Sequence, residues 1–213
     1  CSSLSSDVTA NPLNAPTVSA APGSIANQVA VTGDVPTPNA GTTLKVACVA
    51  QSGACPAASA PGWVAVTTAG TAEQVATLSD GSTPLVGGTT YTCWAAEFAD
   101  ADATYRECSS LSSDVTANPL NPPTVSAAPG SVANEVAVTG TVPFPPNAGT
   151  TLKVACVVKD GGCPVASAPG WVAVTSGTAA QVAKLSDDTN LVGGTTYTCY
   201  SAEFVGNDRV CST

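Results

Sequence analysis

Residues 85–93, LVGGTTYTC, recur without change as residues 191–199. Each copy places an apolar residue and a Gly-Gly turn ahead of a Tyr, and polar and apolar side chains alternate beyond that Tyr. This pattern is typical of the corner at which a β-sandwich passes from strand E to strand F, where a Tyr hydroxyl bonds to backbone upstream. We therefore predict that Tyr91 and Tyr197 are corner tyrosines and that the stretch carries no catalytic chemistry.

The two copies belong to a longer internal repeat. Residues 1–107 and 108–210 align at roughly four-fifths identity, and residues 211–213 begin a third copy, as expected for a window of a longer array. A period of about 105 residues indicates tandem domains, because it is too long for one solenoid unit. We predict a strand G remnant with a linker at 1–13, a first domain at 14–117, a semi-rigid Pro-rich linker at 118–123 and a second domain at 124–213 that ends early in its strand G.

Turn residues and alternating hydrophobicity predict seven short strands in the first repeat, and no long stretch shows a helical period. The fold class predicted is all-β, with two tandem β-sandwiches of about seven strands each. The predicted strands are 17–21 (A), 28–32 (B), 43–50 (C), 63–67 (C′), 74–78 (E), 91–98 (F) and 105–115 (G).

Composition excludes several classes of function. Fifteen acidic residues against six basic ones give a net charge of −9, and no basic cluster exists that would bind nucleic acid or an anionic membrane surface. The chain has no His, so Ser-His-Asp and Cys-His catalytic constellations cannot form, and we predict no enzyme and no cofactor. No apolar run approaches the length of a membrane span.

The nine cysteines occupy matching positions in both repeats, which predicts a disulfide framework and an extracellular compartment. Zinc is disfavoured by the missing His and by spacings wider than those of zinc knuckles. We expect each bridge to close a local loop or hairpin, which leaves Cys1 to pair upstream. If the cysteines are instead grouped from the start of the sequence, Cys1 pairs within the first repeat and Cys211 is the cysteine without a partner in these residues. The expected bridges are Cys48–Cys55, Cys93–Cys108, Cys156–Cys163 and Cys199–Cys211.

Strand F carries an outward aromatic row: Trp94 and Phe98 in the first repeat, Tyr200 and Phe204 in the second. Such a row could stack on a sugar or contact a neighbouring chain. The alternative is that Trp94 is covered by a strand, by the linker or by Trp63. Trp63 and Trp171, which follow Pro-Gly, are expected to fill the core.

Acidic residues in two predicted loops supply oxygen atoms of the kind that calcium prefers: Asp100 and Asp102, and Asp187 and Asp188. Gly206 replaces Asp100 in the second repeat, which favours solvated turns, and we predict no metal site. The chain has no Asn-x-Ser/Thr sequon, so O-linked sugar is the expected modification. Its candidate sites are the Ser-rich residues 2–6 and Pro36, Pro38, Pro143, Pro145 and Pro146.

The motif Leu85-x-Gly-Gly-Thr-x-Tyr91 resembles the E–F corner of fibronectin type III domains, and Tyr91-x-Cys93 resembles the Tyr-x-Cys of immunoglobulin domains. Strand B lacks both the Cys of immunoglobulin domains and the Trp usual in fibronectin type III domains. The resemblance implies immunoglobulin-like, fibronectin type III-like sandwiches. The Ala, Val, Thr, Pro and Gly bias, the absent Met and His and the near-identical modules together resemble giant extracellular coat proteins of green algae, first the flagellar membrane glycoproteins and second the mastigoneme proteins.

The resemblance implies a structural repeat segment of a cell-surface or ciliary coat, or of a fibre-forming glycoprotein. Its expected partners are neighbouring repeats of the same chain, lateral copies of itself and O-linked glycans. One alternative is an adhesin or glycan-binding module that uses the strand F aromatics and the F–G loops. Another is an enzyme ectodomain whose catalytic part lies outside these residues.

Overall fold

A computed structural model describes residues 11–35, 39–109, 111–143 and 147–212, and for residues 102–105 it describes the backbone only. The predicted strand G remnant at 1–13 therefore lies almost wholly outside the described residues. So do Cys1 and four of the five prolines considered for glycosylation, Pro36, Pro38, Pro145 and Pro146.

The described residues form β-strands joined by turns. The strands of the first repeat are β1 (Thr17–Pro22), β2 (Val29–Asp34), β3 (Thr42–Ala50), β4 (Val64–Ala65), β5 (Ala72–Val75), β6 (Thr90–Ala99), β7 (Asp102–Cys108) and β8 (Ser113–Thr116). Those of the second repeat are β9 (Thr124–Pro129), β10 (Val136–Thr141), β11 (Thr151–Val158), β12 (Val172–Val174), β13 (Ala179–Val182), β14 (Tyr197–Val205) and β15 (Asp208–Cys211).

Each repeat is a sandwich of two antiparallel sheets. In the first repeat one sheet has the order β1-β2-β5, and the other has the order β4-β3-β6-β7, with β8 also paired to β6. In the second repeat the sheets are β13-β10-β9 and β12-β11-β14-β15. The prediction of an all-β fold with tandem sandwiches is confirmed.

The core lies between the two sheets because alternate residues of each strand point inward. On β2, Val29 and Val31 are fully buried, and on β6 the inward residues are Tyr91, Cys93 and Ala95. The second core is smaller and is built around Val138, Val154, Cys156, Val182, Leu185 and Leu191.

Three strands differ from their predicted form. Strand C′, predicted at 63–67, is reduced to Val64–Ala65. Strand E, predicted at 74–78, lies at β5, earlier in the sequence, where it pairs with β2. Strand G, predicted as continuous over 105–115, is split into β7 and β8, which pair with different halves of β6. Between the pairs Ala96–Cys108 and Cys93–Ser113, β6 moves by three residues and strand G by five, so β7 and β8 cannot form one continuous strand along β6.

The chain divides into two compact units. One comprises residues 1–22, 29–85 and 89–117, and the other comprises residues 23–28, 86–88 and 118–213. In the part of the chain that the structure describes, no helix has the length and hydropathy needed to cross a bilayer.

Candidate functional site

Two disulfides lock each sandwich. In the first repeat Cys48 on β3 lies directly opposite Cys93 on β6, with their Cα atoms 4.1 Å apart. Cys55, in the loop after β3, reaches Cys108 at the end of β7, with a Cα separation of 6.7 Å. The second repeat has the same arrangement, with Cys156 bonded to Cys199 and Cys163 bonded to Cys211.

The expected local pairing, Cys48–Cys55 and Cys93–Cys108 with their second-repeat counterparts Cys156–Cys163 and Cys199–Cys211, is wrong. The reason is register: Cys108 lies opposite Ala96, whereas Cys93 lies opposite Ser113. Since the side chains of Cys93 and Ala96 point to opposite faces of the sheet, Cys93 faces the core and Cys108 does not.

An arginine lies over the outer disulfide of each repeat. The Nη1 atom of Arg106 donates to Sγ of Cys55 at 3.2 Å and also to Sγ of Cys108. Arg209 contacts Cys163 and Cys211 in the same way, at 3.4 and 2.9 Å. The guanidinium groups therefore shield the outer bridges from solvent on one side.

A buried glutamate forms a second repeated feature, which sequence reasoning missed. Glu97 is 1% exposed, and its carboxylate accepts hydrogen bonds from the Asn14 N–H at 2.5 Å, the Asn39 N–H at 3.2 Å and the Thr42 hydroxyl at 2.8 Å. Each of these donors satisfies an oxygen that burial removes from water. The carboxylate thereby joins strand F to the segment ahead of β1 and to the turn ahead of β3.

The second repeat has an equivalent buried glutamate, and we call each such carboxylate, together with its hydrogen-bond donors, a glutamate node. Glu203, also 1% exposed, accepts from the Asn121 N–H at 2.6 Å and the Thr150 hydroxyl at 2.8 Å. Asn147 donates its side-chain amide to the Pro119 carbonyl at 3.0 Å, as Asn39 does to Pro12 at 2.9 Å. The Asn-Pro-Leu-Asn segment that precedes each repeat is thus fixed to the repeat that follows it.

The sequence did carry a signal for this node. A charged residue, Glu97 or Glu203, stands in an otherwise apolar part of strand F in both copies, and Asn-Pro-Leu-Asn is also kept in both. A buried carboxylate needs several donors, and backbone N–H groups of an irregular segment are suitable ones.

The outward aromatic row is largely covered. Phe98 is only 2% exposed, because Trp63 packs edge-on against it with ring centroids 5.2 Å apart and the Lys45 ammonium lies 4.6 Å from the ring centre. Phe204 is equally buried, under Trp171 at 5.1 Å and Lys153 at 4.6 Å. The prediction that Phe98 and Phe204 are contact aromatics is therefore wrong.

The expectation that Trp63 and Trp171 fill the core is also wrong, because neither side chain lies between the two sheets. Both tryptophans are partly exposed and lie on the outer face of the larger sheet, where each forms a small apolar cluster with the phenylalanine beneath it. Their indole N–H groups donate to the carbonyls of Ala57 and Val165, both at 2.9 Å.

The two other aromatics of the row are tied to a turn. The indole N–H of Trp94 donates to the Gly53 carbonyl at 3.2 Å, and the hydroxyl of Tyr200 donates to the Gly161 carbonyl at 2.7 Å. Both side chains are half-buried. Each leaves part of a ring in solvent beside the loop between strands C and C′.

The corner tyrosines lie where the repeated motif places them. The Tyr197 hydroxyl accepts from the Val192 N–H at 2.8 Å and donates to the Val192 carbonyl at 3.4 Å, while Tyr91 is 6% exposed. Asn134, which has a positive φ of 62°, accepts from the Gly193 N–H at 2.7 Å. The corner is therefore held by one aromatic hydroxyl and one amide.

The acidic loop residues stabilise turns. Asp187 accepts from the N–H and hydroxyl of Thr189, at 3.0 and 2.6 Å, and the Thr189 hydroxyl above all holds the pKa of Asp187 below its usual range. Asp188 forms a 2.9 Å ion pair with Lys184, and Asp100 accepts from the Thr43 hydroxyl at 2.5 Å. The side chain of Asp102 lies outside the described part. Among the described residues, no three His, Cys, Asp or Glu side chains are grouped as metal ligands.

Asp80 has the same role in the first repeat. It accepts from the Thr83 hydroxyl and from the N–H groups of Thr83 and Ser82, and these bonds lower its pKa to about 2. The carboxylate is fully exposed, so the bonds order the turn without creating a buried charge.

Comparison with models of protein families found no match, and comparison with curated proteins found none either. Among solved structures, the chain is similar to the crystal structure of chicken CNTN1 FN1–FN3 domains, with a TM-score of 0.31 and 14% identity. The likeness covers 94% of this chain and 62% of that one. The strand order described above shows by itself that the chain consists of tandem immunoglobulin-like, fibronectin type III-like sandwiches.

Proposed function

We propose that this chain is a structural repeat segment of a large extracellular glycoprotein that forms a cell-surface coat or a fibre, such as the ciliary coat of a green alga. The observation that carries the proposal is the framework common to both repeats. Each has two disulfides across strands C, F and G and one buried glutamate that fixes the preceding segment. A framework kept in both repeats is what a repeated, crosslinked structural unit requires, whereas a single ligand site would not require it in both.

Other features support the same role. The four disulfides suit an oxidising, extracellular compartment. The surface has few charges, since only 10% of residues are charged, and Ser, Thr and Ala cover much of what is exposed. Such a surface allows close lateral packing of copies and attachment of O-linked glycans. In this role the chain has no catalytic function.

The adhesin alternative is weakened by the covered aromatics. Phe98 and Phe204 are buried beneath tryptophans, so of the four aromatics in the strand F row only Trp94 and Tyr200 present part of a ring to solvent. We therefore place the structural role first.

The test is immunogold labelling of intact, unpermeabilised source cells with an antibody raised against the folded repeats. The proposal expects dense and continuous label over the cell or ciliary surface. Mass spectrometry of the native protein should also find O-glycan mass on peptides of these repeats. Label confined to the cell interior would contradict the proposal.

A further inference from the structure

The two disulfides of the first repeat differ in burial. The inner bridge joins Cys48 and Cys93, which are both 0% exposed and belong to the core. The outer bridge joins Cys55 and Cys108, which are both half-buried. Exchange with a thiol requires that the attacking thiolate reach a sulfur atom of the bridge. The outer bridge is therefore open to attack in the folded repeat, whereas the inner bridge must first be exposed by unfolding.

The spacing of residues on strand G places an arginine beside the outer bridge. Arg106 and Cys108 lie two residues apart on β7, so their side chains point to the same face of the sheet. The Nη1 atom of Arg106 contacts the sulfur atoms of both Cys108 and Cys55. The Nε–H of the same guanidinium is buried and has no acceptor among the described residues. The bridge is thus accompanied by a positive charge and by a donor that could bind an anionic sulfur.

The second repeat has the same arrangement. Arg209 and Cys211 lie two residues apart on β15, and Nη1 of Arg209 is 2.9 Å from Sγ of Cys211 and 3.4 Å from Sγ of Cys163. The guanidinium is therefore nearer to the sulfur of strand G than to the sulfur of the loop. A neighbouring arginine favours a thiolate over a thiol, and exchange is faster when the departing sulfur is a stable thiolate.

We propose that the outer bridge of each repeat is a site of thiol–disulfide exchange with small thiols. The thiolate of the small thiol attacks Sγ of Cys55 and forms a mixed disulfide with it. The Cys55–Cys108 bond breaks, and its electron pair leaves with Cys108 as a thiolate beside Arg106. A second small thiolate can then attack the sulfur of the first, which releases a small-molecule disulfide and leaves Cys55 as a thiolate as well. Cys163 and Cys211 react in the same way beside Arg209.

The reaction leaves the centre of the sandwich crosslinked. The Cys48–Cys93 bridge still joins strands C and F, and only the link between strand G and the loop after strand C is opened. The outer bridge is thus a modification site on a repeat that stays folded. This proposal goes beyond the coat role and does not rest on it.

The experiment is timed exposure of the folded 213-residue chain to reduced glutathione at neutral pH, followed by alkylation of free thiols and mass spectrometry. All samples carry Cys1→Ser, so that a thiol at residue 1 cannot react. Cleavage after glutamate places Cys93, Cys108 and Cys211 in separate peptides, 74–97, 108–135 and 204–213, that contain no other cysteine. We expect Cys108 to be alkylated at least about tenfold faster than Cys93, and glutathione to be attached to Cys55.

Arginine variants separate the proposed role from simple shielding. Arg106→Gln should slow the alkylation of Cys108 roughly fivefold, because the departing thiolate loses its positive neighbour. Alkylation of Cys211 in the same molecule should keep the parent rate, which makes the second repeat an internal control. Arg106→Lys retains the charge and should keep most of the rate. Arg209→Gln is the reciprocal variant, which should slow Cys211 and leave Cys108 unchanged.

Three results would overturn the proposal. If Cys93 were alkylated as fast as Cys108, unfolding would limit the reaction and the outer bridge would not be a distinct site. If Arg106→Gln made Cys108 react at the parent rate or faster, the guanidinium would only cover the bridge. Glutathione attached to Cys108 instead of Cys55 would contradict the direction of attack.

Discussion

The buried glutamate of strand F fixes the Asn-Pro-Leu-Asn segment that precedes each repeat. Glu97 receives three donors, two of them backbone N–H groups of residues that lie outside the strands. A carboxylate can accept from all three at once, whereas an amide carries two donors of its own. Glu203 has the same position in the second repeat.

Replacing Glu97 with Gln should therefore lower the free energy of unfolding of the first repeat by about 3 kcal/mol, because the new NH₂ group faces donors and the charge-assisted bonds are lost. Urea denaturation followed by tryptophan fluorescence measures the change. Glu107→Gln is the matched control, since Glu107 is exposed and lies opposite Glu97 on the neighbouring strand. Equal stability of the two variants would refute the role assigned to Glu97.

The outer-face phenylalanine is a packing residue, and its removal should be costly. Phe98→Ala deletes a side chain that is 2% exposed and leaves Trp63 without its partner, so a loss of about 3 kcal/mol is expected. Trp94→Ala, at a half-buried position of the same row, should cost clearly less. The same denaturation assay compares them, and a smaller loss for Phe98→Ala would argue for a contact role instead.

The turn at Asp80 should make the free energy of unfolding depend on pH in the acid range. The pKa of Asp80 is lowered to about 2 in the folded chain, so its stabilising bonds are complete above the unfolded pKa and are lost as pH falls toward 2. Asp80→Asn should therefore be less stable than the parent at neutral pH and should approach it below pH 2. NMR titration of the Asp80 carboxyl group checks the assignment, and a midpoint at the ordinary value for Asp would disprove it.

At the scale of elements, strands whose side chains alternate clearly could be predicted from sequence. β3 and β6 lie within one residue of their predicted bounds, because their inward valines, cysteines and alanines follow a period of two. β5 was misplaced, since Ala, Glu, Gln and Val give a weak pattern and the strand is fixed by pairing with β2.

The disulfides could not be paired from sequence, because spacing along the chain does not reveal register. Cys93 and Cys108 flank a hairpin, yet the register shift after Phe98 puts Ala96 opposite Cys108. The glutamate node was missed for a similar reason: its donors come from two segments distant along the chain.

Digestion with trypsin can determine the disulfide pairing of the second repeat. Cleavage after Lys153, Lys159, Lys184 and Arg209 places each of its four cysteines in a different peptide. Non-reducing digestion of alkylated protein should yield peptide 154–159 linked to 185–209, and peptide 160–184 linked to 210–213. Mass spectrometry that instead found 154–159 linked to 160–184 would support local loops and contradict the structure.

At the scale of the whole molecule, the repeated framework is the basis for the proposed structural role. The period of the repeat and its Pro-rich segments could be recognised in the sequence, because the two halves of the chain align with each other at high identity. What each repeat does under tension depends on the pairing of its cysteines, since a bridge removes the residues that it spans from the length that can be extended.

Single-molecule force spectroscopy, with the first repeat pulled through its ends, measures this extensible length. The Cys55–Cys108 bridge spans 53 residues, so reduction should lengthen the unfolding step by roughly 180 Å. Local pairing would give a gain of only roughly 75 Å. The disulfide pairing of the structure predicts the longer gain, and a short gain, or none, would contradict it.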